Sequence, residues 1–383
     1  MRHSLNRIAV VHAGSLPRPA ELQRTVEAGD MTAFGERLPA AVAEVVQRQV
    51  ESGLSEVNDG ELSKLSGFSG YARERLRGLE ERPYESGHGP APRDVNARDQ
   101  RAFPGFFDAS RGGMVFRTAS RQMFCVGPLE YSGGPSIATD IRNLKAALSV
   151  HGAQVEGYLP AIAPGTIEHW MWNEHYASDE ELLFAIADAM HEEYQAVTDA
   201  GLVLQIDDPD LPDGWQMFPE MSVEDYRRYA AVRVEALNHA LRGLPREQIR
   251  LHVCWGSGHG PHQNDIPLRD IVDLILRVNV GCYSIEAANP RHEPEWTGWE
   301  DVKLPEGKLL MPGVVGHSTD IIEHPDLVAQ RLVRYAGLVG REQLVAGTDC
   351  GLGPRVGHPE IVWAKLTALS EGARRASSTL WGP

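Results

Sequence analysis

The chain has few cysteines and no long apolar run. Only four cysteines occur in 383 residues, and no apolar stretch approaches the roughly eighteen residues that a membrane span needs. The amino terminus has too short an apolar core for a secretory signal, so a cytoplasmic protein is expected. Widely spaced cysteines in such a chain do not resemble a disulfide framework, and in a reducing compartment they remain available as thiols or metal ligands.

Positive charge is also scarce. There are 37 Lys and Arg residues against 53 Asp and Glu residues, which gives a formal net charge of -16. Binding to phosphate backbones depends on cationic side chains that release counterions, so no nucleic-acid partner is expected. The hydrophobic content of 42% is ample for a packed core. The oligomeric state is not fixed by the sequence, and a homo-oligomer stays open.

Short apolar runs rich in β-branched residues alternate with helical periodicity along the chain. Eight runs are predicted as strands, at 8–13, 54–60, 156–162, 202–207, 249–254, 282–287, 309–315 and 344–349. Helices are predicted at 36–52, from Ser178 to Ala200, from Ser222, and at 267–279, 325–339 and 359–375. Eight strands alternating with helices indicate an α/β protein with a (β/α)8 TIM barrel, expected as one domain over residues 1–383.

One stretch breaks this alternation. Residues 81–136 are dense in Pro, Gly and charge, and they end in QMFCVGPLEYSGGPS, which is expected to form a hairpin. We therefore expect an insertion at about 81–136 that lies over the barrel mouth as a lid or an oligomer contact.

Polar and metal-binding side chains lie at the ends of seven of the eight predicted strands, where barrels of this kind carry their chemistry. They are Ser15, Glu61, Asp207, His252 with Cys254, Glu286, His317 and Cys350. His252 and Cys254 are two positions apart on one strand, so their side chains share a face. Two thiolates, an imidazole and a carboxylate form a tetrahedral set that suits Zn²⁺.

Zinc with sulfur-rich ligands is better suited to holding another sulfur than to activating water. A substrate thiol that displaces Glu286, the most exchangeable ligand, would be bound as a thiolate. Such a thiolate attacks carbon electrophiles such as methyl donors or epoxides. His317 is expected to act as a general acid or to orient the leaving atom.

Several short segments resemble, in the same order, the zinc and catalytic segments of the cobalamin-independent methionine synthase family. They are HVC at 252–254, the Ile-Glu pair that ends at Glu286, GVVGHS at 313–318 and TDCGL at 348–352. AGSLPRP at 13–19, the Gly-Glu pair that ends at Glu61, and QIDDP at 205–209 are similar to further segments of that family. The resemblance covers nearly the whole chain, but it matches only the C-terminal catalytic barrel of the two-barrel members. The chain therefore looks like a short single-barrel member.

The resemblance implies a function and a role for each residue. It implies Zn²⁺ on His252, Cys254, Glu286 and Cys350, a proton donor at His317, and contacts to the amino and carboxyl groups of a homocysteine-like thiol from Ser15, Glu61 and Asp207. The expected activity is zinc-dependent methyl transfer to that small thiol from an alkyl donor that the sequence does not identify. Thiol addition to an epoxide stays open, because short relatives include epoxyalkane:coenzyme M transferase. A zinc hydrolase and a non-catalytic thiol-binding barrel are less favoured alternatives.

Two departures from the family pattern concern the donor side of the site. The interval after Cys254 is lengthened by GSGHGPHQND, and the family's QIDEP is QIDDP here. His259 and His262, in the glycine-rich part of that interval, are expected to be exposed to solvent, and a contact with a substrate stays open as the alternative.

Overall fold

The computed structural model describes residues 6–67, 70–83, 94–109, 121–152, 155–256, 258–353 and 355–382. Within these ranges the strands are β1 Ala9–Val10, β2 Glu56–Val57, β3 Leu76–Pro83, β4 Arg121–Tyr131, β5 Glu156–Ile162, β6 Met171–Asn173, β7 Val203–Asp207, β8 Ile249–Val253, β9 Cys282–Ile285, β10 Leu309–Val315 and β11 Val345–Thr348. The helices are α1 Ala20–Glu27, α2 Met31–Glu51, α3 Tyr71–Arg75, α4 Ala97–Ala102, α5 Pro104–Ala109, α6 Gly134–Leu148, α7 Pro164–His169, α8 Asp179–Asp199, α9 Asp210–Met217, α10 Val223–Ala240, α11 Val272–Ile275, α12 Gly298–Asp301, α13 Pro325–Val339 and α14 Pro359–Trp381.

Eight parallel strands form a nearly closed barrel. Their order is β1-β11-β10-β9-β8-β7-β5-β2, with helices between successive strands. The two end strands approach each other, since Ser55 N donates to the carbonyl oxygen of Val10 at 2.8 Å and Val10 N donates to Ser55 Oγ at 3.2 Å. All eight predicted strands are present, and the predicted (β/α)8 barrel is confirmed.

The barrel interior contains a buried charge. Arg250, on β8, donates from Nη1 to Glu56 Oε2 at 2.7 Å and from Nε to Gln205 Oε1 at 2.9 Å. Its guanidinium lies 4.6 Å from the ring centroid of Tyr158. Because a buried ion is costly unless it is paired, this cluster links β2, β5, β7 and β8 at the barrel axis.

Side-chain caps determine where the helices begin. The Oγ atoms of Ser178 and Ser222 accept the third backbone N–H of α8 and α10, each at 3.1 Å, as the capping pattern predicts. Helix α2 begins earlier than the predicted residue 36, because Asp30 caps it. The helix predicted at 267–279 is reduced to the 3₁₀ turn Leu268–Asp270 and the short α11. Among the described helices, none has the length and apolarity to cross a lipid bilayer.

Strands β3 and β4, from the region inserted between β2 and β5, form a second sheet with β6, which follows α7. Its order is β3-β4-β6, with β3 antiparallel and β6 parallel to β4. The hairpin predicted at 122–136 is wrong, because this segment forms the single strand β4 and the start of α6. The pairing of β3 with β4 shifts register opposite Gly127 and Pro128, which make an irregularity within the strand and not a turn. Residues 84–93 and 110–120 of the predicted insertion lie outside the described residues.

Candidate metal and substrate site

A cavity of about 360 Å³ lies at the carboxyl ends of the barrel strands. Val95, Asn96 and Asp99, from the inserted region, form part of its wall. The predicted site residues that line it are Ser15, Glu61, Asp207, His252, Cys254 and Cys350. Segments far apart in sequence therefore meet at one end of the barrel. The alternation of strands and helices predicted the functional site at this end.

Two sulfurs and one imidazole converge beside this cavity. The ligand atoms of His252, Cys254 and Cys350 all lie within 4.8 Å of one another, and the two Sγ atoms are 3.9 Å apart. Two sulfurs that each lie 2.3 Å from a tetrahedral zinc ion are roughly 3.8 Å apart. The Nδ1 atom of His252 is 3.0 Å from Ser284 Oγ, while its buried Nε2 has no oxygen or nitrogen partner among the described residues. This arrangement fits a tetrahedral metal ion.

The two thiols are electrostatically unequal. The hydrogen bond from Cys254, together with the His252 imidazole and against the effect of burial, holds the pKa of Cys350 well below its usual range. The same hydrogen bond, with burial, raises the pKa of Cys254 well above its usual range. Of the two sulfurs, Cys350 therefore has the greater thiolate character. A thiolate with a neighbouring imidazole is the donor set that a zinc ion prefers.

Glu286 and His317 belong to an adjoining cluster. Their side-chain ligand atoms lie within 4.8 Å of each other and of a carboxylate oxygen of Asp349. Glu286 accepts the backbone N–H of Trp255 at 2.9 Å and the side-chain amide of Asn289 at 3.0 Å. The structure thus groups three of the four predicted metal ligands and places the fourth, Glu286, with the predicted proton donor. Both ring nitrogens of His317 are buried without a hydrogen-bond partner in the described part of the chain.

Asp349 was not singled out from the sequence. Its Oδ1 accepts the backbone N–H of Ala287 at 2.8 Å and that of Ala288 at 2.7 Å. It therefore ties the segment after β9, which contains Glu286, to the segment after β11, which contains Cys350. The signal for this role is an acidic residue inside TDCGL, directly before a candidate ligand.

The predicted substrate residues Ser15 and Glu61 lie next to Gly14 and Gly351. A Cβ at residue 351 would be 2.6 Å from Ser15 Oγ and 2.7 Å from Ser15 N, so glycine is required there, whereas a Cβ at residue 14 would be 3.0 Å from Glu61 Oε1, a tight contact with a movable side chain. Glu61 has a left-handed backbone with φ of 55°, which costs about 1–2 kcal/mol for a residue with a Cβ. Its carboxylate is paired with Lys64 Nζ at 3.3 Å. Strain of this kind is often found at ligand sites.

Asp207, at the end of β7, is the third predicted substrate residue. Its Oδ1 accepts a hydrogen bond from Gln205 Nε2 at 2.7 Å. Burial, with a contribution from the nearby Glu61 carboxylate, raises the pKa of Asp207 to about 7. A cationic group bound beside Asp207 would favour the ionised form of its carboxylate.

The other cysteines and the glycine-rich loop are also located. Cys125 and Cys282 are buried, and neither lines the cavity. The expected exposure of His262 is wrong, since its side chain is only 14% exposed and its Nδ1 lies 2.7 Å from Asp265 Oδ2.

The fold and the site define a (β/α)8 barrel with a thiol and imidazole centre at the end where such barrels carry their chemistry. Residues 135–374 match the family described as cobalamin-independent synthase, catalytic domain, and the chain belongs to this family.

Individual relatives support the same assignment. The chain is 25% identical over 370 residues to the methionine synthase of Saccharolobus solfataricus, covering 94% of this chain and 92% of the relative. It is 27% identical over 215 residues to the methionine synthase of Thermococcus kodakarensis, covering 56% of this chain. That alignment spans 55% of the Thermococcus protein, about half of its length.

Solved structures share the fold. The B12-independent methionine synthase from Shewanella sp. W3-18-1, in complex with selenomethionine, has a TM-score of 0.70 at 21% identity and covers 96% of this chain and 97% of its own. A methyltransferase from Methanosarcina mazei has a TM-score of 0.53 at 15% identity and covers 96% and 95%. At these identities the likeness concerns the barrel architecture.

Proposed function

We propose that the protein transfers a methyl group to the sulfur of homocysteine or a close analogue, with Zn²⁺ held by His252, Cys254 and Cys350. The observation that carries this proposal is the 3.9 Å separation of the two sulfurs beside an imidazole, at the edge of a cavity lined by the candidate amino-acid contacts. Glu286 is proposed as a fourth, exchangeable ligand from the neighbouring cluster. When bound, the zinc ion supplies the positive charge that keeps a coordinated thiol in its thiolate form near neutral pH.

The residues around the cavity would orient the amino acid. Asp207 and Glu61 provide carboxylates for its ammonium group, and Ser15 provides a hydroxyl donor for its carboxylate. Since the pKa of Asp207 is about 7, binding of an ammonium group would release a proton from the part of the Asp207 population that is protonated. The Shewanella relative, whose structure contains selenomethionine, is consistent with a cavity that takes an amino acid of this size.

His317 is proposed to handle the proton on the donor side. Methyl transfer forms a bond from sulfur to carbon and breaks the bond from that carbon to the donor atom, which then takes up a proton. A buried imidazole without a hydrogen-bond partner among the described residues can deliver that proton.

Free thiols and a thiol-based metal site also suit the reducing cytoplasm, which we propose as the location of the protein.

The metal site is tested by zinc analysis and X-ray absorption. The parent protein should bind zinc, and adding homocysteine should add one sulfur neighbour to the ion. Cys350→Ser should lower zinc content sharply, whereas Cys125→Ser, the same chemical change at a buried thiol away from the site, should not. Unchanged zinc in the Cys350→Ser variant would remove Cys350 from the site, and no new sulfur neighbour with any small thiol would refute sulfur alkylation.

Replacing His317 separates an enzyme from a binding protein. In His317→Asn, methyl transfer from a panel of donors to homocysteine should fall strongly while zinc content and the added sulfur neighbour are retained. Turnover equal to that of the parent protein would show that His317 is not the proton donor. If the parent protein turns over no thiol with any methyl donor or epoxide, the non-catalytic alternative is favoured.

A further inference from the structure

A second group of metal-ligand side chains lies in the loop that lengthens the interval after β8. Ligand atoms of His262, Asp265 and His292 all lie within 4.8 Å of one another. Asp265 Oδ2 is 2.7 Å from His262 Nδ1 and 3.1 Å from His292 Nε2. His262 and Asp265 line the cavity described above, and His292 is buried behind them.

The remaining polar atoms of all three side chains have partners of the kind that orient metal ligands. The Nδ1 atom of His292 lies 2.9 Å from Glu295 Oε2, and Nε2 of His262 lies 3.1 Å from the carbonyl oxygen of Gly258. Asp265 Oδ1 accepts from the side-chain amide of Gln216 at 2.8 Å. Ligating histidines usually donate their second N–H to a carboxylate or a backbone carbonyl. In each of these two rings, the nitrogen next to Asp265 is therefore the one that can bind a metal ion.

The spacing of the converging atoms also suits an ion. Nitrogen and oxygen ligands at about 2.0–2.1 Å, separated by angles between octahedral and tetrahedral values, are roughly 2.9–3.4 Å apart. The observed distances of 2.7 and 3.1 Å need to change by only a few tenths of an ångström. The backbone of His262 is in the left-handed region, with φ of 54°, a strained conformation of the kind often found at ligand sites.

We propose that His262, Asp265 and His292 form a second site for a divalent first-row transition metal such as Zn²⁺, distinct from the thiol site. Two imidazole nitrogens and one carboxylate oxygen suit such ions, whereas Ca²⁺ and Mg²⁺ take oxygen ligands. Since His262 and Asp265 line the cavity, the open positions of the ion would face it and take water or an oxygen atom of the second substrate. This site stands independently of the proposed methyl transfer.

The charge of the cluster is the same with one divalent ion as with two protons. Without metal, both imidazoles can be protonated, because all four of their ring nitrogens face carboxylate or carbonyl oxygens, which accept hydrogen bonds. Two imidazolium ions balance the carboxylates of Asp265 and Glu295. Two neutral imidazoles with one dication carry the same charge, so the ion replaces two protons.

Metal binding at this site should therefore depend on pH. Imidazole nitrogens must be deprotonated to bind a metal ion, so the affinity for Zn²⁺ should rise as pH rises. Besides the ligands, the ionisable groups that act on the two histidines are Glu286, Glu295, His259 and Asp213. None of these changes the number of protons that must leave the two coordinating nitrogens.

The test removes the thiol site first. In a Cys254→Ser, Cys350→Ser double variant, equilibrium dialysis against Zn²⁺ at pH 8 should show one ion per chain, compared with two in the parent protein. Adding His262→Gln should abolish this remaining ion. Adding His259→Gln, the same change in the same loop at a more exposed position, should leave it bound. Thermal unfolding monitored by circular dichroism shows whether each variant is folded.

The outcomes separate this site from the proposed function. No zinc in the double-cysteine variant, zinc that survives His262→Gln, or an affinity that does not change with pH would each overturn the second site. A parent protein with one zinc ion that is lost with the cysteines would overturn the second site and leave the thiol site intact. Should His262→Gln fail to fold, Asp265→Asn in the same background gives the same test, with loss of the ion expected and its retention contradicting the site.

Discussion

The contact between Gly351 and Ser15 gives a direct test of how closely the two ends of the site must approach. In Gly351→Ala, the added Cβ would lie 2.6 Å from Ser15 Oγ and 2.7 Å from Ser15 N. The hydroxyl can rotate away, but the backbone nitrogen cannot, so the two segments must separate by several tenths of an ångström. Overpacking of this kind costs about 1–3 kcal/mol. Because Ser15 and Cys350 would move apart, we also expect the affinity for homocysteine to fall, by about tenfold for each 1.4 kcal/mol of contact energy that is lost.

Urea unfolding and thiol titration of the zinc-loaded protein measure these two effects. Gly337→Ala is the matched control, since a Cβ at this position in α13 meets nothing within 4 Å. It should stabilise the protein by about 0.5–1 kcal/mol and leave thiol binding unchanged. If Gly351→Ala changes neither stability nor thiol affinity by more than Gly337→Ala does, the close approach of residue 351 to Ser15 is not needed for function and the reasoning is refuted.

Three further perturbations test other parts of the fold and site. Glu56→Gln leaves the buried Arg250 without its ionic partner and should lower the free energy of unfolding by about 3–5 kcal/mol; a loss below about 1 kcal/mol would show that the charge is satisfied in another way. Asp349→Ala removes the acceptor of two buried backbone N–H groups, so the free energy of unfolding should fall by about 2–5 kcal/mol and the zinc affinity by about 10–100-fold. Asp349→Asn keeps an acceptor oxygen and should retain most of the stability and most of the zinc affinity. Burial lowers the pKa of His12 from 6.5 to about 4, so its protonation favours the unfolded chain. The free energy of unfolding should therefore decline by about 3 kcal/mol as pH falls from 6.5 to 4. In pH-dependent unfolding, a His12→Gln variant should lack this part of the decline.

The barrel could be predicted because local sequence patterns indicate its strands and helices. Each core strand is a short apolar run, and Ser178 and Ser222 are the caps that begin the helices after them. Errors arose where the same local signal has two structural outcomes. Gly127 and Pro128 usually indicate a turn, but opposite Gly78, whose φ is 88°, they form an irregularity inside one long strand. That outcome depends on pairing with β3, about fifty residues earlier, which the segment itself does not encode.

The site was predictable in position and less so in grouping. That several strands would place polar side chains at one end follows from the parallel barrel, and His252, Cys254 and Cys350 do meet there. Whether Glu286 joins them or joins His317 depends on differences of a few ångströms set by backbone contacts such as those of Asp349. The glycine-rich sequence of the lengthened loop predicts exposure to solvent. His262 is instead mostly buried, because it pairs with Asp265.

Unpartnered buried polar atoms also indicate where ligands act. Both ring nitrogens of His317 and Oδ2 of Asp349 are buried without hydrogen-bond partners in the described part of the chain, and they belong to one cluster of metal-ligand side chains. Each such group costs about 1–3 kcal/mol in the absence of a partner. A metal ion or a substrate that engages these atoms removes a penalty that the folded protein already carries, so its binding should stabilise the barrel by more than its new contacts alone would suggest. The same side chains would then lower the stability of the barrel mouth without ligands and contribute to its affinity for them.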